Sequence, residues 1–297
     1  MKMICIYHRL DLDGHCAGAI VKYKYPHCTM VGMDYGDDFP WNKIDGETEV
    51  IMVDFSLQPF ALMMQLDELC GRLVWIDHHE SAISEAERWA KEHDWIPIAG
   101  YRTNKLAACE LAWSWFFPDE ETMPRAIKLL GRYDVWDLEH SVSVLPFQWG
   151  MRIQETTPDQ EMDLWERLFT GHEELVDMII KEGQTCLAYQ RKVNDNYCRL
   201  NAFDVMFEGI PCVAINAGKP VVNSQLFESV YDPKRHSAMI GFCRRNGRWE
   251  VSLYTTHPDI DLSVIALSYG GGGHRKAARF QCDTLPFLVG EPGQEED

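Results

Sequence analysis

The chain has 297 residues, 46% of them hydrophobic and 25% charged, which excludes a disordered or collagen-like polypeptide and supplies apolar material for two moderate cores. Its 28 Lys and Arg stand against 46 Asp and Glu, and a formal charge of -18 argues against a protein that coats long nucleic acid through its phosphates. No apolar run approaches the roughly 20 residues of a membrane helix, and the ten cysteines are scattered without a CxxC pair, so a cytoplasmic protein with buried free thiols is expected.

From the amino terminus, Met3 to Tyr7, Thr29 to Met33, Val50 to Val53 and Leu73 to Ile76 are short continuous apolar runs, the pattern of parallel strands covered on both faces. Helical segments are expected between them at Gly14 to Tyr25 and Phe60 to Cys70, then at Ser81 to His93, Lys105 to Phe117 and Pro124 to Arg132. From Asp159 to Leu200 strand signal vanishes, and Trp165, Leu168, Phe169, Leu175, Val176, Ile179 and Ile180 recur near helical spacing. Strands return at Phe203 to Glu208, Pro211 to Ile215, Ser237 to Phe242 and Trp249 to Tyr254, with Asn246-Gly247 marking a hairpin turn. The expected architecture is therefore α/β. An N-terminal parallel-sheet domain (1–158) precedes a helical linker (159–200), a smaller C-terminal α/β domain with a mixed sheet (201–288) and an acidic tail (289–297), with an active site in the cleft between the domains.

Ionisable residues gather directly after these runs. His8-Arg9-Leu10-Asp11-Leu12-Asp13-Gly14 follows the first, where two aspartates two residues apart on a tight turn would repel without a cation. Asp54 follows the third run and Asp77-His78-His79 the fourth, while Tyr133-Asp134-Val135-Trp136 ends a helix. Taken singly, DxDG is an ordinary solvated turn and a lone aspartate an ordinary surface residue. Three consecutive ionisable residues beside an apolar strand are harder to dismiss, since they carry a desolvation cost without partners. In an open α/β sheet the strand ends converge on one edge, and a donor set of Asp oxygens and His nitrogens without Cys suits Mn2+, Mg2+ or Zn2+. Five or more such ligands imply two ions.

Near the far end, Ser268-Tyr269 runs into Gly270 to Gly273 and then His274-Arg275-Lys276. A flexible loop is the plain reading of the glycines. With three basic residues attached, Gly271, Gly272, Gly273, His274, Arg275 and Lys276 form a candidate phosphate-binding segment.

The DxDG box, the Val53-Asp54-Phe55-Ser56 box, the Asp-His-His box, the Tyr-Asp-Val-Trp box and the terminal Gly-Gly-Gly-Gly-His resemble, in that order, the DHH phosphoesterase superfamily with its associated C-terminal domain. The Tyr7 to Gly14 opening looks most like nano-RNase B type oligoribonucleases. The resemblance implies His8, Asp11 and Asp54 on one Mn2+, and Asp13, Asp54, His78 and Asp134 on the other, with Asp54 bridging and Mg2+ or Co2+ as substitutes. It further implies that Asp77 orients a histidine, that His79 contacts the phosphate, and that His274 and Arg275 grip the terminal phosphate or nucleotide. Arg279 stands where many relatives have glycine, and Tyr254 near where many have arginine.

The implied activity is two-metal hydrolysis of short oligoribonucleotides or linear dinucleotides from the 3′ end, in which a metal-bridging hydroxide attacks and 5′-mononucleotides leave. Residues 1 to 200 hold 19 Lys and Arg against 34 Asp and Glu, a poor surface for extended DNA. Short RNA or a dinucleotide is the expected partner, long duplex nucleic acid and membrane are not, and a homodimer fits because relatives often dimerise. The alternatives are a RecJ-type single-strand DNA exonuclease, an enzyme acting on 3′-phosphoadenosine 5′-phosphate or cyclic dinucleotides, and a dinucleotide-binding sensor without turnover.

Overall fold

A computed structural model describes residues 2–93, 97–137, 141–160, 162–218 and 222–287; the acidic tail expected at 289–297 lies outside them. The chain forms two compact units, Met1–Leu187 and Ala188–Asp297.

The first unit is built on four strands, β1 (Lys2–His8), β2 (Thr29–Met33), β3 (Thr48–Val53) and β4 (Arg72–Ile76), all parallel in the order β2-β1-β3-β4. Alternate residues feed two cores. Cys5, Tyr7, Ile51, Val53, Val74 and Ile76 pack on one face, and Ile4, Ile6, Val50, Met52, Leu73 and Trp75 on the other. Every residue of β3 is buried, which explains why its sequence shows no polar alternation. Each large aliphatic side chain buried this way contributes roughly 1.5–3 kcal/mol.

Helix α1 (Leu12–Lys24) carries the chain from β1 to β2, and α2 (Ala61–Leu69) carries it from β3 to β4. The α1 side also receives α4 (Ala108–Phe116), α5 (Arg125–Asp134) and α7 (Met162–Phe169), and the opposite core takes Ala82 and Ala86 of α3 (Glu80–His93). The order β2-β1-β3 reverses direction at the β1/β3 boundary, which is where open α/β sheets bind ligands outside the carboxyl ends of their strands.

One helix of this unit was not expected. Helix α6 (Ser141–Met151) contains Pro146 and the β-branched Val142 and Val144, features that disfavour a helix interior. Packing overrides propensity: Val144, Phe147 and Met151 are buried in the α1-side core. Helix α8 (Glu173–Asn201) crosses α6 closely, for a Cβ on Gly183 would stand 1.7 Å from the Pro146 carbonyl oxygen and one on Gly150 would stand 2.1 Å from that of Ile179.

The second unit holds a mixed six-stranded sheet, β5 (Phe203–Phe207), β6 (Ile210–Asn216), β7 (Ala238–Arg245), β8 (Arg248–Tyr254), β9 (Gly272–His274) and β10 (Ala277–Cys282), ordered β5-β6-β7-β8-β10-β9. Only β6 and β7 pair in parallel. Asn246 and Gly247 turn between β7 and β8 with φ of 51° and 83°, the left-handed pair a two-residue hairpin demands. Helix α9 (Leu262–Ser268), capped by the Asp261 carboxylate on the Ser263 N–H, packs on one sheet face through Leu262 and Ala266.

The glycine segment corrects the expectation of a loop. Gly272–His274 is an edge strand paired with β10, and β10 alternates buried Ala278 and Phe280 with exposed Arg279 and Gln281. Gly271 is obligatory for packing, since a Cβ there would stand 2.1 Å from the Arg279 carbonyl oxygen, and Gly273 sits at φ 139°.

Candidate metal centre

Each of the four parallel strands of the first unit ends in an ionisable residue or runs straight into one. His8 closes β1, Asp34 follows β2, Asp54 follows β3, and Asp77, His78 and His79 follow β4. The register sets Tyr7 beside Val53 and Val53 beside Ile76, so these groups emerge together at one edge.

The DxDG box opens a helix, which corrects the expected tight turn. Asp11 is the N-cap of α1, extended at φ -137°, and its carboxylate accepts the Gly14 N–H at 2.9 Å. Asp13 lies in the first helical turn and reaches away to the N-terminus of α4, where the N–H groups of Ala108 and Cys109 donate to its two oxygens at 2.9 and 2.8 Å. The glycine serves close approach: a Cβ at position 14 would stand 2.1 Å from the His8 carbonyl oxygen.

Two donor groups share Asp54. On one side, His8 Nδ1 lies 2.8 Å from Asp11 Oδ2 and 3.5 Å from Asp54 Oδ2. On the other, His78 Nε2 lies 3.4 Å from Asp54 Oδ1, 3.7 Å from Asp13 Oδ2 and 3.2 Å from Asp134 Oδ2, Asp134 arriving from the last turn of α5. The donor atoms of His8, Asp11 and Asp54 fall within 4.8 Å of one another, as do those of Asp13, Asp54 and His78. Asp54 holds its two oxygens toward these two groups from a left-handed backbone, φ 53°, which a non-glycine residue adopts at a cost of about 1–2 kcal/mol.

Asp77 plays a different part. It is fully buried, and its carboxylate accepts from Trp75 Nε1 (3.2 Å), the N–H of His78 (2.7 Å), the N–H of His79 (3.1 Å) and His79 Nδ1 (2.7 Å). Although Asp54, Asp77 and His79 also fall close enough together to suggest a cation, four donors already occupy Asp77, so it is a poor ligand and a good orienting base.

The electrostatics follow from this packing. Burial, and then the charges of Asp54 and Asp134, push the Asp13 carboxyl well above the usual range. Burial raises Asp134 to about 6, with Asp11 and Asp54 adding to it and His78 opposing. Burial works against the charged form of His78, but Asp54, Asp134 and Asp13 outweigh it and hold the imidazole up at about 11. His8 is held at about 11 in the same manner, burial being outweighed by Asp11 and Asp54. Asp77 moves the other way, to about 2, because His79 and His78 overcome burial.

Buried carboxylates pressed together, with histidines held protonated among them, form an arrangement that divalent cations relieve. The fit is supported by a donor set of imidazole nitrogens and carboxylate oxygens free of thiolate, in which the buried atoms His8 Nδ1 and Asp54 Oδ1 meet their charged neighbours without well-formed hydrogen bonds. His8, Asp11 and Asp54 fit one ion, and Asp13, Asp54 and His78 fit a second, with Asp134 3.2 Å from His78 beside it.

Comparison with known proteins agrees with this architecture. No family model matches the chain. A curated protein of Acanthamoeba polyphaga mimivirus, R106, described as uncharacterized, is 22% identical over 310 residues; the match takes in 93% of this chain and 66% of the viral protein, just under two thirds of its length. Among solved structures, the DHH domain of a member of the s1p family of ribosomal proteins superposes with a TM-score of 0.57 at 15% identity, covering 95% of this chain and 82% of that one. The pGpG-specific phosphodiesterase PggH of Vibrio cholerae superposes with a TM-score of 0.53 at 12% identity, covering 95% and 93%. The fold is the DHH fold.

Of the residues singled out in the sequence, His8, Asp11, Asp13, Asp54, Asp77, His78, His79 and Asp134 therefore come together in the first unit. Gly271, Gly272, Gly273, His274, Arg275 and Lys276 belong to the second, Gly271 just before β9 and the others in β9 and its turn to β10. There the Arg275 guanidinium donates to the Pro258 carbonyl at 2.8 Å, and the Lys276 carbonyl accepts the Thr255 N–H. Two contributors were missed. Asp34 Oδ1 lies 3.8 Å from His8 Nε2, and its signal was present, since it follows the run Thr29 to Met33 as Asp54 and Asp77 follow theirs. The Ala108 and Cys109 N–H groups, 95 and 96 residues from Asp13, left no local sign.

Among the described residues, no helix is long and apolar enough to cross a membrane.

Proposed function

We propose that the protein belongs to the DHH phosphoesterases and is a two-metal phosphodiesterase that hydrolyses short oligoribonucleotides or linear dinucleotides from the 3′ end to 5′-mononucleotides. The observation that carries this reading is Asp54, strained at φ 53° with one oxygen 3.5 Å from His8 and the other 3.4 Å from His78. A backbone held so that one carboxylate serves two donor groups supports a bridging role. The likeness in fold to a DHH domain and to a pGpG-specific phosphodiesterase supports the chemistry.

Two divalent cations bound here, Mn2+ with Mg2+ or Co2+ as substitutes, would activate a water and neutralise charge on the phosphoryl oxygens. The chain's own residues do the rest. Asp13 is fixed by the α4 N-terminus and Asp11 by the α1 N-terminus, so neither carboxylate must reorganise when ligand enters. Asp77 holds Nδ1 of His79, which leaves Nε2 as the atom through which His79 meets a phosphoryl oxygen or passes a proton to the leaving 3′-oxygen. No nucleophilic side chain is required.

The test is hydrolysis of 5′-phosphorylated RNA of two to twenty-four nucleotides beside matched DNA, with Mn2+ added and Asp54→Asn as control. Fastest turnover at two to five ribonucleotides, abolished in the variant, is the expected result. Equal degradation of long single-stranded DNA replaces this reading with an exonuclease, and metal-dependent binding without cleavage replaces it with a sensor.

A further inference from the structure

The metal centre has a cationic neighbour that none of the motifs contains. Arg152 follows α6 and is exposed, yet its guanidinium is held in a defined place. Its carbon lies 4.7 Å from the ring centre of Trp149 and 5.8 Å from that of Tyr133, and Nη2 donates to the Tyr133 hydroxyl at 3.1 Å. Tyr133 is the residue before Asp134, whose carboxylate lies 3.2 Å from His78 Nε2.

Like Arg102, which lies over Trp75 and donates to backbone carbonyls, Arg152 is held without a carboxylate among the described residues. Arg9, Arg125, Arg132 and Arg167 each pair with a carboxylate. Among the described residues Arg152 has none, although the chain carries a charge of -18 and Asp134 adjoins the tyrosine it touches. The Tyr133 phenol senses both charges: burial raises its pKa, Arg152 lowers it, and Asp134 and Asp11 raise it. Two aromatic faces and a hydroxyl thus hold a guanidinium on the tyrosine that precedes Asp134, with no carboxylate of its own among the described residues. One N–H is spent on Tyr133, and the fork retains donors for a planar, two-point contact with an anion.

We infer that Arg152, fixed by Trp149 and Tyr133, is a specificity-determining residue that binds the 5′-phosphate monoester of a dinucleotide, the substrate in which that group is next to the scissile phosphodiester. The inference rests on the phosphodiesterase reading. A terminal monoester carries more charge than an internal diester, and a held guanidinium recognises it in two hydrogen bonds without first losing side-chain entropy. The consequence is selection for dinucleotides over longer chains cut from the 3′ end. An internal nucleotide offers a diester where a 5′-terminal one offers a monoester.

The experiment uses the full chain loaded with Mn2+ and a dinucleotide whose linkage is a non-hydrolysable 3′-methylenephosphonate, with and without a 5′-phosphate, titrated by calorimetry. The 5′-phosphate is expected to tighten binding at least tenfold in the wild type. Arg152→Gln should erase that difference while leaving affinity for the 5′-hydroxyl ligand and the Mn2+ stoichiometry unchanged, and Arg152→Lys, which keeps the charge but lacks the fork, should retain part of it. A merely structural arginine would weaken both ligands together. Wild-type protein that binds both ligands alike, or Arg152→Gln protein that still distinguishes them, overturns the inference and leaves the phosphodiesterase reading standing. Wild-type protein that binds neither ligand and cleaves no dinucleotide overturns both.

Discussion

Nδ1 of His79 lies 2.7 Å from Oδ1 of Asp77, and the same oxygen accepts the backbone N–H of both His78 and His79. One buried carboxylate therefore fixes the peptide that presents His78 to Asp54 and Asp134, and the ring of the next residue as well. Asp77→Asn replaces an acceptor-only group with one that also presents N–H, against four donors. It should lower turnover about 10–100-fold, the usual cost of losing a group that orients a ligand. Asp77→Ala leaves those donors without an acceptor and should in addition lower unfolding stability by about 1–3 kcal/mol in chelator. Steady-state kinetics on a dinucleotide and denaturant melts check the two effects; an Asp77→Asn enzyme with unaltered kcat contradicts the assignment.

Asp54 combines a charge and a backbone conformation, and the two separate by substitution. Asp54→Asn preserves a residue type that tolerates φ 53° and removes one carboxylate from a cluster where Asp54 raises the pKa of Asp13. In the presence of chelator this variant should melt at or above the wild-type temperature. Asp54→Ala should melt below Asp54→Asn, because alanine lacks the local hydrogen bonding that makes the left-handed region tolerable. A melt of Asp54→Asn far below wild type in chelator would falsify the view that the metal-free cluster is electrostatically strained.

Adding Mn2+ should stabilise the wild-type chain, since a ligand that binds only the folded state contributes about 2.7 kcal/mol at a concentration 100 times its dissociation constant. Differential scanning with chelator, Mg2+ and Mn2+ measures this. The shift should vanish in Asp54→Asn, the one ligand common to both donor groups, and persist in reduced form in Asp11→Asn, which touches one group alone. Equal shifts in wild type and Asp54→Asn would place the cation elsewhere.

His8, Asp54 and Asp77 are legible in the sequence because each ends or follows a short run of buried residues, and a parallel sheet brings such positions to one edge whatever the distances along the chain. Asp34 obeys the same rule, with Asp37 and Asp38 just beyond it, but belongs to none of the motif boxes. The direction in which Asp13 points is invisible, because the N–H groups that hold it belong to α4. Helix α6 is hidden by Pro146 and by its valines, and it exists because α5 and the α1-side core bury one face of it. Strand β9 is hidden by the glycine run, which looks like freedom in the sequence, whereas in the fold Gly271 and Gly273 are packed closely against β10. In each case the missing information is tertiary: which surface lies opposite.

The glycines allow a final separation of site from scaffold. A methyl group on Gly14 would meet the His8 carbonyl oxygen at 2.1 Å, where β1 passes into the cluster, whereas one on Gly183 would meet the Pro146 carbonyl oxygen at 1.7 Å in the crossing of α6 and α8. Both contacts are with backbone, which cannot rotate aside, so each substitution by alanine should cost at least about 1–3 kcal/mol of stability. Their consequences for the metal centre should differ. Gly14→Ala pushes the first turn of α1 away from β1 and so displaces Asp11 and Asp13 together, and Mn2+ affinity should fall at least tenfold in the protein that remains folded. Gly183→Ala disturbs helices that supply none of the proposed ligands, and its folded fraction should bind Mn2+ as the wild type does. Metal titration below the melting temperature of both variants decides the matter, and a Gly14→Ala protein with wild-type affinity would show that the approach of α1 to β1 does not set the ligand geometry.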